Sequence, residues 1–247
     1  MKAMILAAGL GTRLRPLTDS RPKALVEVGG RTLLEITLVR LREAGVTEAI
    51  INVHHHAQIV IDYLKANGNF GLRIEISRED DLLDTGGGLK QAEQFFLEDL
   101  GSTDEPFILH NVDVITNIDL SRMMQFHRER KSLATLAVQK RESSRQLLFD
   151  DAMAMCGRRI QGRSDEIARK GSVLHQLAFS GIHVISPQLL KMICEQGVFS
   201  IIDVYLRLAG SGECILGFPA DEYYWRDVGR LSDLKQANEE AVQAKLR

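Results

Sequence analysis

A short run near the N-terminus combines residue types that bind phosphate. Residues 6–16 have the sequence LAAGLGTRLRP, and residues 21–23 are RPK. Small residues let backbone N–H groups approach a phosphate closely. Arg13 can hold phosphate oxygens through two parallel hydrogen bonds, while Lys23 supplies a point charge. The pattern therefore predicts a phosphate-binding loop; the alternative is a glycine turn with incidental surface cations.

Two familiar phosphate-binding motifs do not fit this run. A dinucleotide-binding fingerprint requires a third glycine at position 14, where the sequence has Leu14. A P-loop requires glycine and lysine at positions 14 and 15, where the sequence has Leu14 and Arg15. A Rossmann oxidoreductase is therefore a weaker interpretation.

Residues 6–25 resemble the signature of the sugar-nucleotidyltransferases, also called nucleotide-sugar pyrophosphorylases. The family pattern, L-A-A-G-x-G-x-R-L-x-P-L-T followed by P-K-x-L, is complete here. The resemblance implies an enzyme that joins a nucleoside triphosphate to a sugar 1-phosphate, releasing pyrophosphate. It implies catalytic roles for Arg13, which would neutralise the pyrophosphate, and for Lys23, which would hold the reacting phosphates. The implied nucleotide-binding residues of this loop are Leu6, Ala8, Gly9, Gly11, Thr12 and Arg13.

Two aspartates match further motifs of the same family. Asp113 ends the run FILHNVD, and Asp227 lies in WRDVG. By resemblance they would bind Mg²⁺, a cation that usually takes one or two carboxylates together with substrate phosphates. A turn or helix-cap role is the alternative for each aspartate. Val112 replaces the usual family glycine, which leaves the effect on activity open.

Two more segments resemble family elements for the base and sugar. Residues 84–89, DTGGGL, imply nucleotide binding by Thr85, Gly86 and Gly87, because glycines let a flat base approach the backbone. A flexible linker is the alternative. The T-G-G-G form and the run FSGI at residues 179–182 are most similar to the branch of N-acetylmuramate 1-phosphate uridylyltransferases. Within FSGI, Gly181 fits either a ligand contact or a β-bulge. The expected sugar-phosphate-binding residues are Lys23, Asn111 and Gly181.

The elements that must position these residues alternate between strands and helices in the first half of the chain. This alternation predicts an α/β fold with a Rossmann-like, mixed but mainly parallel central sheet, helices on both faces and a small substrate-facing lobe. We expect one domain over residues 1–247, with a nucleotide-binding half at 1–139 and a sugar-binding half at 140–247. We expect helices at residues 88–96 and 231–245, and a polar loop at residues 157–171.

Composition narrows the class of protein. The 247 residues include 31 basic and 33 acidic side chains, a balance that favours neither nucleic acid nor a membrane surface as partner. No apolar run has the length of a membrane span, and the apolar start is too short for a signal peptide. Three scattered cysteines indicate reduced thiols, so we expect a cytoplasmic protein. Oligomeric state stays open, a homo-oligomer included.

The sequence leaves the substrate pair open. UTP with N-acetylmuramate 1-phosphate is the preferred pair, and mannose 1-phosphate guanylyl transfer or glucose 1-phosphate nucleotidyl transfer are alternatives. A hypothesis from another class is a non-catalytic nucleotide-sugar sensor, which only Val112 favours.

Overall fold

The computed structural model describes residues 1–98, 105–171 and 173–242. Its strands, in chain order, are β1 (Lys2–Leu6), β2 (Glu27–Val28), β3 (Arg31–Thr32), β4 (Glu48–Val53), β5 (Arg73–Arg78), β6 (Phe107–Asn111), β7 (Val114–Thr116), β8 (Ala134–Gln139), β9 (Arg145–Phe149), β10 (Met155–Ile160), β11 (Glu166–Ile167), β12 (His175–Ile185), β13 (Ile215–Pro219) and β14 (Trp225–Asp227). Its α-helices are α1 (Leu33–Glu43), α2 (Ala57–Ala66), α3 (Asp84–Gln91), α4 (Glu93–Leu97), α5 (Leu120–Arg130), α6 (Ile201–Gly210) and α7 (Leu231–Val242). Short 3₁₀ helices occur at Thr12–Leu14, Lys23–Leu25, Gly68–Gly71 and Pro187–Met192.

The described residues form two compact units that interleave along the chain. The first comprises Met1–Leu82, His110–Ile118 and the described residues from Tyr223 onward. The second comprises the described residues of Leu83–Leu109 and Asp119–Glu222. The assignment of nucleotide binding to residues 1–139 and sugar binding to 140–247, and the substrate-facing lobe, stay predictions.

The first unit is built on parallel strands. Strands β1, β4 and β5 are neighbours in that order, and β4 pairs in parallel with both β1 and β5. Apolar runs such as Ala3–Ile5 are almost completely buried, as expected for strands covered on both faces. Helix α1 is capped by Thr32, whose side chain accepts a hydrogen bond from Glu35 N. The carboxyl ends of β1, β4 and β5 therefore share one edge, where residues 7–14 leave the sheet.

The second unit combines parallel and antiparallel pairing. Strand β8 lies between antiparallel β12 and parallel β13, while β9, β10 and β11 continue from the first half of β12. The predicted α/β fold with a mostly parallel central sheet flanked by helices is confirmed. Within the ranges that the structure covers, no helix is long and apolar enough to cross a bilayer.

The predicted polar loop at residues 157–171 is wrong at residues 157–160 and 166–167, which form strands. Strand β10 continues to Ile160 and pairs with β11, with Arg158 opposite Glu166. The Arg158 side chain donates to Glu166 at 2.7 Å and to Asp203 at 2.5 Å. Strands are usually predicted from alternating apolar residues, whereas these two strands have a cross-strand ion pair instead.

Helix α3 begins earlier than the sequence predicts. It starts at Asp84 and includes the three glycines, and α4 follows after Ala92. A Cβ atom on Gly86 would lie 2.4 Å from the Phe199 ring, and one on Gly87 would lie 2.5 Å from Gly197 O. The glycines therefore permit close packing of α3 against residues 197–199, which overrides their low helix propensity.

We predict that Gly87→Ala lowers the melting temperature. Overpacking costs about 1–3 kcal/mol, whereas the gain in helix propensity is only about 1 kcal/mol. Thermal unfolding would measure the change. Gly9→Ala is the control, because its Cβ would meet no atom within 4 Å. Equal melting temperatures for the two variants would contradict the packing argument.

Candidate active site

The β7–β14 ladder brings together two aspartates that are far apart in sequence. Asp227 pairs with Val114, the residue after Asp113. Val228 N donates to Asp113 O at 2.8 Å, and Thr116 Oγ1 donates to Tyr224 O at 2.6 Å. The two predicted metal ligands therefore lie at the same end of a short antiparallel ribbon.

Two cations lie next to these carboxyl groups. The buried Lys23 ammonium forms an ion pair and hydrogen bond with Asp113 Oδ2. A Cβ atom built on Gly229 would lie 3.0 Å from both Arg13 Nη2 and Asp227 Oδ2. The absence of a side chain at Gly229 thus leaves room for Arg13 and Asp227 to approach each other. We call Arg13, Lys23, Asp113 and Asp227 the charged cluster.

The cations of the charged cluster only partly compensate its acids. Burial raises the pKa of Asp227, and the charge of Asp113 raises it further, although Lys23 and Arg13 act in the opposite direction. An added divalent cation would oppose this rise in the pKa of Asp227.

The donor set fits Mg²⁺. Two carboxylates, with phosphates and water completing the coordination, are a usual arrangement for this ion. Over the described part of the chain, no group of three or more His, Cys, Asp or Glu side chains could hold a metal ion. Metal binding by Asp113 and Asp227 stays a prediction.

The predicted phosphate loop packs directly against the stem of Lys23. Gly11 has a φ of 64°, a left-handed conformation that favours glycine. A Cβ there would lie 3.1 Å from Lys23 Cβ, and Thr18 Oγ1 donates to Gly11 O at 2.9 Å. Leu14 is fully buried and anchors the loop, whereas Gly9 and Arg13 are exposed. The loop therefore presents Arg13 while its base is fixed.

The other predicted site residues lie in different places. Asn111 ends β6 in the first unit, and in the described ranges its buried Oδ1 atom has no hydrogen-bond partner. Gly181 belongs to the second unit and has a φ of 76° where the β12–β8 register shifts, so it occupies a β-bulge. Their sugar-phosphate roles stay predictions.

The T-G-G-G segment also belongs to the second unit, where its polar groups have local partners. The N–H groups of Gly86 and Gly87 donate to Phe199 O at 3.0 and 3.3 Å. Thr85 Oγ1 accepts from Ile201 N at 3.0 Å. Nucleotide binding by Thr85, Gly86 and Gly87 stays a prediction.

Sequence analysis did not identify two hydrogen-bonded pairs in the first unit, Asn52 with Glu79 and Arg226 with Glu240. Asn52 and Glu79 are buried at the edge of the sheet from which the loop leaves, and Asn52 accepts from Ala7 N. Arg226, beside Asp227, donates to Glu240 of α7 at 2.7 Å. For the pair of Asn52 and Glu79, the only indication in the sequence was the polar Asn52 within the apolar run AIINV.

Known structures show the class of fold. HddC from Yersinia pseudotuberculosis, complexed with GMP-PN, superimposes with a TM-score of 0.75 at 22% identity, covering 97% of this chain and 99% of that one. A UDP-glucose pyrophosphorylase complexed with UDP-glucose gives a TM-score of 0.79 at 17% identity, covering 98% of both chains. The predicted Rossmann-like nucleotidyltransferase fold is confirmed.

Comparison with known sequences identifies the family in addition to the fold. A profile described as Nucleotidyl transferase matches residues 2–149. N-acetylmuramate alpha-1-phosphate uridylyltransferase from Caulobacter vibrioides is 35% identical, covering 92% of this chain and 91% of that protein. A mannose-1-phosphate guanyltransferase from Aspergillus fumigatus is 30% identical over 94% of this chain, which spans only 62% of that relative's length. The chain belongs to the nucleotidyl transferase family.

We predict that Asp227→Asn raises the melting temperature of the metal-free protein at pH 7. Because folding raises the Asp227 pKa, the folded protein loses stability as pH increases from the ordinary value of 3.8 through that raised pKa. The asparagine removes this loss, so the variant and wild type should converge below about pH 3.8. Thermal unfolding in a chelator would measure this.

Asp62→Asn is the matched control, because it changes net charge equally at an exposed position on α2. An Asp227→Asn variant that is less stable than this control at pH 7 would contradict the electrostatic argument.

Proposed function

We propose that this protein is a Mg²⁺-dependent sugar 1-phosphate nucleotidyltransferase, with UTP and N-acetylmuramate 1-phosphate as its preferred substrates. The observation that carries the proposal is the charged cluster beside the glycine loop. It combines the ion pair of Lys23 and Asp113 with Asp227 and the exposed Arg13. Two cations and two potential metal ligands are the groups that a reaction between two phosphate-bearing anions requires.

The reaction is an in-line displacement. A phosphate oxygen of the sugar 1-phosphate attacks the α-phosphorus of the triphosphate and forms the new P–O bond. The bond between the α-phosphorus and the bridging oxygen to the β-phosphate breaks, and pyrophosphate leaves. No covalent bond to the protein forms, so catalysis consists of positioning and charge stabilisation.

The residues of the first unit divide these tasks. Gly9, Gly11 and Thr12 leave backbone N–H groups accessible to the triphosphate, and Arg13 offsets the charge on the departing pyrophosphate. Lys23 holds phosphate oxygens at the reacting centre. When bound, Mg²⁺ would reduce the repulsion between the substrates, with Asp113 and Asp227 as its protein ligands.

The choice of substrates rests on the extent of similarity. The Caulobacter uridylyltransferase matches this chain over 91% of its own length, whereas the fungal guanyltransferase extends well beyond the match. The first therefore supports UTP and N-acetylmuramate 1-phosphate. Guanylyl transfer to mannose 1-phosphate and nucleotidyl transfer to glucose 1-phosphate are the alternatives.

Val112 does not argue for a non-catalytic sensor. Among the described residues, Val112 is not one of the non-glycine residues with a positive φ. Its side chain therefore does not force a left-handed backbone conformation. Val112 is 5% exposed, and its N–H donates to Leu6 O at 3.1 Å. The substitution thus fills a buried position and keeps the backbone contact with β1.

A substrate matrix tests the proposal. Pyrophosphate release would be measured for four nucleoside triphosphates against a dozen sugar 1-phosphates, with Mg²⁺ and with a chelator. We expect the highest kcat/KM for UTP with N-acetylmuramate 1-phosphate, and no turnover with chelator. A different best pair would overturn the substrate assignment, and binding without turnover for every pair would overturn the catalytic function.

We predict that Lys23→Ala or Asp113→Ala lowers kcat by about a hundredfold or more, because each removes a preorganised charge from the charged cluster. Steady-state kinetics at saturating substrates would measure this. Lys65→Ala and Asp62→Ala, which change exposed residues of α2, are the matched controls. Near wild-type turnover in either cluster variant would remove the assigned role of that residue.

A further inference from the structure

A chain of buried hydrogen bonds lies outside the charged cluster, at the edge formed by β1, β4 and β5. Ala7 N donates to Asn52 Oδ1 at 2.6 Å, and Asn52 Nδ2 donates to Glu79 Oε1 at 2.6 Å. Asn52 is 3% exposed and Glu79 is 2% exposed. Burial makes these bonds costly to lose, since each group would then lack a partner in a place that water does not reach.

The first bond is located where the phosphate loop leaves the sheet. The β1–β4 ladder extends to Leu6, which pairs with Asn52. Ala7 is the next residue, and the side chain of Asn52 accepts its N–H. The Asn52 side chain therefore extends the ladder by one hydrogen bond and fixes the direction in which residues 7–14 depart.

Glu79 fixes the orientation of the Asn52 amide. Glu79 Oε1 accepts from the Nδ2 side of the amide, which leaves Oδ1 to accept from Ala7 N. Glu79 is itself held by two backbone contacts: its N–H donates to Val53 O at 2.8 Å, and His54 Nδ1 donates to its carbonyl oxygen at 2.9 Å. Orientation is thus transmitted from the end of β5 to the end of β1.

We propose that Asn52 and Glu79 are positioning residues that set the phosphate loop for triphosphate binding. This inference rests on the proposed function, because that function assigns the triphosphate to the loop. Neither side chain needs to touch the substrate. Their effect is to hold Ala7, and through it the glycines that follow, in one arrangement before the substrate binds.

Exchanging the amide and the carboxyl group between positions 52 and 79 tests the proposal with little change in side-chain volume. Asn52→Asp removes the donor and places two carboxyl groups within hydrogen-bond distance, where like charges repel. The double variant Asn52→Asp/Glu79→Gln restores both bonds: the new carboxylate accepts from Ala7 N, and the new amide donates to that carboxylate. The double variant also keeps the net charge of the wild type.

We expect Asn52→Asp to raise KM for the triphosphate by about tenfold, with a smaller change in kcat, since loss of one such bond has this order of effect. The double variant should return to within about threefold of wild type. Asn67→Asp is the matched control, because Asn67 is exposed after α2. Unchanged KM in Asn52→Asp, or a double variant no better than the single one, would overturn the proposal.

Amide hydrogen exchange at Ala7 gives a readout independent of activity. Exchange should be slow in wild type and the double variant but fast in Asn52→Ala, which removes the acceptor of the Ala7 N–H group, at temperatures well below unfolding. If the wild type turns over no substrate pair, the proposed function fails, and this exchange pattern still decides whether Asn52 and Glu79 hold the loop. Asn52→Ala, which removes both bonds without adding charge, replaces Asn52→Asp if that variant does not fold. Equal Ala7 exchange in every variant would overturn the inference.

Discussion

Two carboxyl groups lie close to one buried ammonium group and one exposed guanidinium group, and the β7–β14 ladder holds the two acids together. Lys23 forms an ion pair with Asp113, while Asp227, nearby on β14, keeps a raised pKa because of burial and the charge of Asp113. Separating the two acids would remove the repulsion, but the β7–β14 ladder holds their backbones together. The folded protein therefore keeps a repulsion between two acids, which the cation of the proposed metal site would reduce.

Local motifs made much of the candidate site predictable. The glycine loop, Arg13 and Lys23 occupy one short stretch, and the alternation of strands and helices indicated the parallel sheet on which they lie. The proximity of Asp113 and Asp227 was inferred only through family resemblance. Its physical basis is a ladder of three-residue strands, which are too short to leave a recognisable sequence pattern.

Other features depend on contacts between distant segments, and sequence patterns did not reveal them. Three glycines in a row argue against a helix, yet α3 includes them because Phe199 and Gly197 pack against its first turn. Polar residues after Gly157 indicated a loop, but Arg158 and Glu166 pair across two strands. The hydrogen bond donated by Asn52 likewise needs Glu79, a partner that follows one strand later. In each case tertiary contacts outweighed local propensity.

The interleaving of the two units has a consequence for biosynthesis. A ribosome must produce most of the chain before β14 can meet β7, since Trp225–Asp227 come late and Val114–Thr116 much earlier. The second unit extends to Glu222, so it too needs nearly all of the described chain before its contacts are complete. Nascent chains should therefore expose the unpaired edge of β7 until the residues of β14 have been made.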